Sequence, residues 1–250
     1  MIVLNEREYI EDVMSKNIIS NKPSETINLM AKYYKSRGMK RKECFNRIDE
    51  YFTRNYKSYN KIKWETVINK YIRDAYDKKY TLIEIDKVPI TKKEMEVVRK
   101  IDNKRLERLI FTMLVIAKFN NLVNPKNNGW VNREDKEVFK IANIRVGKKD
   151  QCLLINDLKA RELIEFSNKV DNVNSKIKFI KEDDGDVELE ITDMRDLGFL
   201  YSEYIGDGKF RKCVVCGKMF KQNFKSPQIY CDVCCKIKEL ERHVKYNMKR

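Results

Sequence analysis

The sequence predicts a mainly α-helical protein that ends in a small cysteine-rich module, and two observations support this. Through most of the first half, apolar residues recur every three to four positions, the period of a helix with one buried face. Five of the seven cysteines fall between Cys213 and Cys235. At 250 residues, with 42% hydrophobic and 10% aromatic residues, the chain can form a core, so a wholly disordered protein is excluded.

The charge balance indicates a polyanionic partner. The chain has 53 Lys and Arg against 38 Asp and Glu, a formal net charge of +15. A field of this sign attracts phosphate and releases counterions, so nucleic acid is the first expectation and DNA the first choice. A lysine-rich composition inherited from an AT-biased genome is the alternative explanation.

The N-terminal part is predicted to be a helical domain, 1–88, of unknown role. Apolar faces at helical spacing predict helices over 24–37, 40–54 and 64–79, and Gly38 follows the first of these as a stop signal. Cys44 lies on the apolar face of the second, where a lone thiol is expected to pack rather than react.

The middle of the chain begins with a capping box. Thr91 followed by Glu94 is the pattern in which two side chains satisfy backbone N–H groups at a helix start. Asn103 then opens a helix to about Phe119 that is apolar nearly all round its second half. Such a helix is expected in the core.

Further elements follow from Gly129 onward. Asn132 is predicted to cap a helix ending near Ala142, and a turn leads to a helix over 148–161 that buries Cys152, Leu154, Ile155 and Leu158. Two extended segments, 163–166 and 176–180, are separated by a polar loop at 167–174.

This order of helix, turn, helix, strand, loop and strand is that of a winged helix-turn-helix with a small β-hairpin. The predicted domain spans 89–205, with 148–161 in the recognition-helix position and 167–174 as the wing. A further strand over 187–191 and a short helix capped by Asp193 and ending near Tyr204 complete it.

The sequence does not decide whether this domain recognises DNA bases directly. The candidate nucleic-acid-binding residues in the domain are Lys148, Lys149, Gln151, Lys159 and, on the wing, Lys169. Lysine holds phosphate and glutamine reads adenine edges, whereas Asp150 and Asp157 on the same helix would be repelled by phosphate. Docking on another protein is the alternative use of the domain.

The cysteines form two pairs with metal-ligand spacing. Cys213 and Cys216 are followed, fourteen residues later, by Cys231 and Cys234. This CxxC-x14-CxxC pattern predicts a zinc ribbon, in which four thiolates close a tetrahedral shell around Zn²⁺ and leave no position for a substrate. Cys235 is a rival fourth ligand, and a redox pair is the alternative chemistry.

The predicted C-terminal domain, 206–250, consists of this ribbon and a basic helix. From Asp207 to Arg250 there are twelve Lys and Arg against four Asp and Glu, a net charge of +8. Phosphate-backbone contact is the expected use of this charge. The candidate residues are Arg211, Lys212, Lys218, Lys221, Lys225, Lys236 and Arg242.

The segment from Lys212 through Cys216, Gly217 and Phe220, followed by Tyr230 to Lys236 and a basic helix, resembles the zinc ribbons of small proteins from bacteriophages and prophages of Gram-positive bacteria. The stretch from Ile90 to Gly198 is similar to the upstream part of those proteins. The resemblance implies a zinc site and a phage or mobile-element setting, but no reaction. In that family alanine often follows the fourth ligand, which favours Cys234 over Cys235.

These observations predict a non-enzymatic, zinc-containing nucleic-acid-binding protein, in transcription regulation or DNA replication. The alternative is an adaptor that docks on a polymerase or replisome component. No phosphate-binding loop, nucleophile motif or readable carboxylate pair indicates an enzyme or a small-molecule substrate. No leader or membrane segment is evident, so we expect a cytoplasmic protein of a bacterial host cell without a membrane partner.

Overall fold

The structure, a computed structural model, describes residues 2–20, 22–77, 80–168, 174–180, 186–222 and 228–247. It forms two compact units, Val3–Asp86 and Met1–Ile2 with Lys87–Arg250. Helices dominate the described residues and the sheets are two-stranded and antiparallel, which confirms the predicted mainly α-helical class. None of the described helices is long and apolar enough to cross a membrane. The three-domain division stays a prediction, and its domain 206–250 falls within the second unit.

Four helices build the first unit around one apolar interior. They are α1 (Glu6–Ser15), α2 (Pro23–Ser36), α3 (Arg41–Asn55) and α4 (Lys61–Asp77). Gly38 adopts φ +76 just beyond α2, a left-handed conformation that glycine reaches without a Cβ clash. The three predicted helices are confirmed, whereas α1 was not predicted as a separate element.

The interior of the first unit is aromatic. Phe52 is fully buried, and the rings of Tyr56, Tyr59 and Trp64 lie 5.8–6.2 Å from its centroid. Such tilted and edge-on pairs add to the stability from area burial alone. Cys44 is also fully buried, and burial raises the pKa of its thiol to about 12. A thiol held neutral in this way packs as a small apolar group.

The second unit contains six helices, six strands and one 3-10 turn among its described residues. In chain order they are β1 (Val88–Thr91), α5 (Lys92–Arg99), α6 (Lys104–Val123), the turn Pro125–Asn127, α7 (Asp135–Ile141), α8 (Lys148–Ala160), β2 (Ile164–Phe166), β3 (Ser175–Ile177), β4 (Val187–Ile191), α9 (Leu197–Tyr204), β5 (Phe210–Lys212), β6 (Met219–Lys221) and α10 (Asp232–Asn247). The strands pair as β1 with β4, β2 with β3, and β5 with β6.

Helix α6 is the centre of this unit, as its sequence predicted. Its residues from Leu109 to Phe119 are all buried, and it contacts α5, α7, α8 and α9. A helix surrounded on all sides must be apolar on all sides, because a buried charge without a partner is costly. Glu107 and Lys118 are the two buried charged residues of α6: Glu107 Oε2 accepts from the Tyr201 hydroxyl at 2.9 Å, and Lys118 also has a partner.

That partner is Glu94, which has two roles. As predicted, Glu94 and Thr91 form a capping box: Thr91 Oγ1 accepts from the Glu94 N–H at 3.3 Å and Glu94 Oε2 from the Thr91 N–H at 2.8 Å. Lys118 Nζ donates to both carboxylate oxygens of Glu94, at 3.0 and 2.8 Å. The Glu94 side chain is fully buried and that of Lys118 is 8% exposed.

The two predicted caps Asn132 and Asp193 are wrong. Asn132 adopts φ +49 and its side chain bonds those of Asn127 and Asn174, so α7 begins only after Glu134. The Asp193 carboxylate is bound by Arg195, and α9 follows Asp196 instead. Asn132 bonds the distant Asn174, whereas Asp193 bonds Arg195, only two residues along the chain, so in both cases the side chain has a partner other than the N–H groups of the helix.

We expect Lys118→Met to destabilise the second unit strongly. The substitution keeps most of the apolar stem but removes the Lys118 ammonium from the buried Glu94 carboxylate, and breaking a buried pair in this way costs roughly 3–5 kcal/mol. Urea denaturation of Lys118→Met and of the exposed control Lys100→Met would measure both changes in the free energy of unfolding. The control should stay within about 0.5 kcal/mol of the parent. Equal effects of the two variants would contradict the buried-pair interpretation.

Candidate metal centre and basic surface

Four cysteine side chains meet where the second unit's last hairpin faces its last helix. Cys213 and Cys216 lie in the turn that joins β5 to β6, and Cys231 and Cys234 lie at the start of α10. Their sulfur atoms all lie within 4.8 Å of one another. Cys213, Cys231 and Cys234 are buried and Cys216 is exposed. The four predicted ligands therefore form one cluster that could hold a metal ion.

The backbone of the first cysteine pair folds into a tight turn. The Gly217 N–H donates to the Cys213 carbonyl at 2.8 Å, and the Cys213 N–H donates to the Lys218 carbonyl at 2.9 Å. Gly217 adopts φ +66, which a residue with a Cβ reaches only with strain. The Val214 N–H donates to the Ile229 carbonyl at 3.2 Å and joins this turn to the second pair.

The spacing of the sulfurs suits a tetrahedral metal rather than a disulfide. The sulfurs of Cys216 and Cys231 are 3.7 Å apart, and the cysteines are free thiols. A disulfide requires a separation of about 2.05 Å. Two ligands of a tetrahedral site with metal–sulfur bonds of about 2.3 Å are about 3.8 Å apart. Cys235 is outside the cluster, with its sulfur 3.7 Å from Glu239 Oε1, so the structure places Cys234 and not its rival with the other three.

The electrostatics of the cluster favour a thiolate at Cys213. Burial alone would raise the pKa of this thiol, but backbone N–H groups of Cys231, Cys216 and Val215 outweigh burial and lower the pKa to about 6. Hydrogen bonds to sulfur stabilise its charged form, which is the form that binds metal.

Arg195 supports the cluster from outside. Its Nη1 donates to the Cys216 carbonyl at 2.9 Å, while its Nη2 donates to Asp193 Oδ2 at 2.7 Å. Burial would raise the pKa of the Asp193 carboxyl, but the hydrogen bonds from Arg195 outweigh burial and hold that pKa below its usual range. The charged pair thus fixes the position of the first cysteine turn.

Helix α9 carries the hairpin on its surface. The ring of Phe199 lies 5.3 Å from that of Phe210 on β5, and α9 contacts β6. In the same first turn of α9, a Cβ on Gly198 would lie 1.8 Å from the Ala142 carbonyl oxygen, so only glycine permits this approach. Sequence reasoning missed Arg195 and this docking because both join residues more than ten positions apart without a periodic signal.

The predicted basic residues of the ribbon lie on its surface. Arg211, Lys212, Lys218 and Lys221 are exposed on or beside the paired strands β5 and β6. Lys218 Nζ lies 3.7 Å from Asp196 Oδ1, whereas Arg211, Lys212 and Lys221 have no ion pair with a described residue. Lys236 and Arg242 are exposed on α10, and Lys225 lies outside the described residues. The hairpin therefore presents to solvent three cations that have no ion pair with a described residue, besides the paired Lys218.

Helix α8 carries a second basic group. Lys148 and Lys149 are exposed at its start, and Lys159 lies 4.6 Å above the ring of Phe166 on β2. Gln151 is half-buried and donates its amide to the Val146 carbonyl at 3.2 Å. The prediction that this helix buries Cys152 is wrong, because Ile155 and Leu158 face the interior and Cys152 is exposed. The predicted wing residue Lys169 lies outside the described residues.

We expect Cys234→Ser to lose metal while the neighbouring Cys235→Ser keeps it. Only Cys234 belongs to the sulfur cluster, and loss of a ligand should weaken metal binding by more than the roughly 10–100-fold caused by loss of an outer partner. Competition with a chromogenic chelator would give the two affinities on full-length protein. Metal loss in Cys235→Ser with retention in Cys234→Ser would identify Cys235 as the ligand instead.

Comparison with known proteins assigns this chain to no family. No family model matches the chain, and neither a curated protein nor a solved structure matches it significantly.

Proposed function

We propose that this protein is a non-enzymatic, zinc-containing nucleic-acid-binding protein of phage or prophage origin that acts in transcription regulation or DNA replication. The observation that carries the proposal is the exposed basic hairpin beside the four-cysteine cluster. Arg211, Lys212 and Lys221 are held on two paired strands whose position depends on that cluster. Cations held in this way on a scaffold suit the phosphate backbone of a nucleic acid.

Zinc is the proposed ion. A site of four sulfur ligands favours zinc or an iron–sulfur centre, and two CxxC pairs around one tetrahedral position suit a single Zn²⁺. The cysteines would supply all four ligands, so the ion would stabilise the fold rather than bind a substrate. Elemental analysis should find one zinc and no iron per chain, and iron in place of zinc would contradict the assignment.

A winged-helix role for the middle of the unit is part of the proposal. The element order α6, α7, α8, β2, β3 matches the predicted order, α6 contacts both α7 and α8, and β2 pairs antiparallel with β3. On α8, Lys148 and Lys149 suit phosphate contact. Gln151 suits base reading less well, because its amide already donates to Val146. The proposed role of α8 is therefore to contact the phosphate backbone of the nucleic acid.

The phage or prophage origin rests on the resemblance of the cysteine segment, from Lys212 to Lys236, to ribbons of such proteins. The cell compartment proposed from it is the cytoplasm of the bacterial host.

We expect the paired reversal Arg211→Glu and Lys221→Glu to weaken binding to duplex DNA and to reduce its salt dependence. Losing two phosphate contacts should lower the slope of log K against log salt by about 1.8, because each contact contributes about 0.9. Fluorescence anisotropy across salt on duplex and single-stranded DNA measures the slope. The matched control Lys57→Glu with Lys63→Glu changes the net charge equally on exposed residues of the first unit.

Two outcomes would contradict the proposal. In the first, the parent protein shows no binding to either DNA at ~50 mM salt, where phosphate contacts are strongest. In the second, the control pair weakens binding as much as the hairpin pair, so that the change in net charge alone explains the effect.

A protein-docking adaptor is the second candidate, and one observation favours it. On α8, Leu153 is 59% exposed and lies near the exposed carboxylate residue Asp150, a surface that phosphate contact does not explain. We expect a pull-down after nuclease treatment to recover a stoichiometric polymerase or replisome component if this function holds. Leu153→Glu should release that partner, whereas Lys57→Glu should not. Loss of all captured protein on nuclease treatment would contradict the adaptor function.

A further inference from the structure

The last helix carries a row of exposed apolar side chains. Val233, Ile237, Leu240 and Val244 on α10 are 66%, 49%, 65% and 52% exposed. Eight of the fifteen large apolar side chains exposed among the described residues lie between 214 and 246, in the most basic part of the chain. A concentration of this kind marks a surface that another molecule covers.

The spacing of the row is that of a coiled-coil seam. Its members follow one another at steps of four, three and four residues, which repeats the two apolar positions of a heptad, a and d. Ile237 and Val244 then occupy the a positions, and Val233 and Leu240 the d positions. β-branched residues at a with leucine at d favour two parallel strands, a pattern that Ile237, Leu240 and Val244 follow and that Val233 does not.

The charges beside the seam agree with a second copy of the same helix. Lys236 falls at the g position and Glu241 at the following e position, five residues later. In a parallel pair, the g residue of one helix faces that e residue of the other, so two lysine–glutamate pairs would form. In an antiparallel pair, Lys236 would instead lie near His243, and Glu241 near Cys234, without a charge pair.

We propose that α10 pairs with α10 of a second copy of this chain as a short parallel coiled coil, so that the protein is a dimer. The cluster of four cysteines fixes the first turn of α10, including Cys231 and Cys234, and so offsets part of the cost of starting a helix. The seam spans only about two heptads, so the dimer is weak and depends on concentration. Lys238 and Arg242 lie outside the seam; Lys238 Nζ lies 3.0 Å from Glu241 Oε2 of the same helix, so Glu241 would be shared between Lys238 and Lys236 of the second copy.

Dimerisation is tested on the full-length, metal-loaded chain without nucleic acid, so the result is independent of the proposed nucleic-acid binding. Sedimentation equilibrium from about 1 to about 100 μM spans the range in which such contacts form. We expect a concentration-dependent dimer that Leu240→Lys converts to a monomer with unchanged metal content. Glu239→Lys, an exposed residue of the same helix outside the seam, is the matched control and should leave the dimer intact. A monomeric parent, or a dimer that Leu240→Lys does not weaken, overturns the proposal.

Charge exchange tests the parallel register. Lys236→Glu or Glu241→Lys alone places like charges together at both g–e positions and should weaken self-association roughly tenfold. An equimolar mixture of these two variants restores both opposite-charge pairs and should associate at least as well as the parent. A mixed dimer of Glu239→Lys with Lys236→Glu restores only one of the two opposite-charge pairs, so it should form less readily than the Glu239→Lys homodimer. Failure of the first mixture to recover overturns the parallel pairing.

Discussion

The meeting of four cysteine side chains is the constraint on which the C-terminal segment depends. Among the residues of this segment that the structure describes, the buried cluster contains Phe220 besides Cys213, Cys231 and Cys234, with Tyr230 packed beside it. So few apolar groups cannot offset the entropy of ordering a hairpin and the start of a helix. Cross-linking by a bound ion would supply the missing free energy. The strand pairing, the exposed cations and the first turn of α10 all depend on that cluster.

The sequence predicted best what local periodicity and spacing encode. The helices of the first unit, the capping box at Thr91 and the choice of Cys234 all follow from contacts within about four residues or from repeated spacing. What it did not predict depends on distant partners. Strand β1 pairs with β4, about a hundred residues away, and Arg195 reaches the carbonyl of Cys216. Asn132 has cap chemistry but bonds the distant Asn174, and Asp193 bonds its near neighbour Arg195 instead of capping α9.

The surface of the C-terminal segment presents two kinds of side chain. The strands β5 and β6 present the cations Arg211, Lys212 and Lys221, while α10 presents an apolar row beside its own exposed cations Lys236 and Arg242. Polyanion binding uses the cations and does not explain the apolar row, because phosphate contacts do not stabilise exposed apolar side chains. A protein that uses both surfaces at once would hold two basic hairpins at one end of a paired helix. Two-fold arrangements of this kind read repeated sites on a duplex at a spacing set by the dimer.

The absent side chain of Gly198 determines where the hairpin sits. Its backbone lies so close to the Ala142 carbonyl that a single methyl group would have to push α9 away. Phe199 is the next residue and stacks on Phe210, so any such displacement is transmitted to β5 and to the cations beside it. The missing methyl group at Gly198 thus sets the distance between α9 and Ala142, and with it the position of the hairpin. A substitution at Gly198 would therefore displace the basic surface while every charged residue and every cysteine of the cluster stays the same.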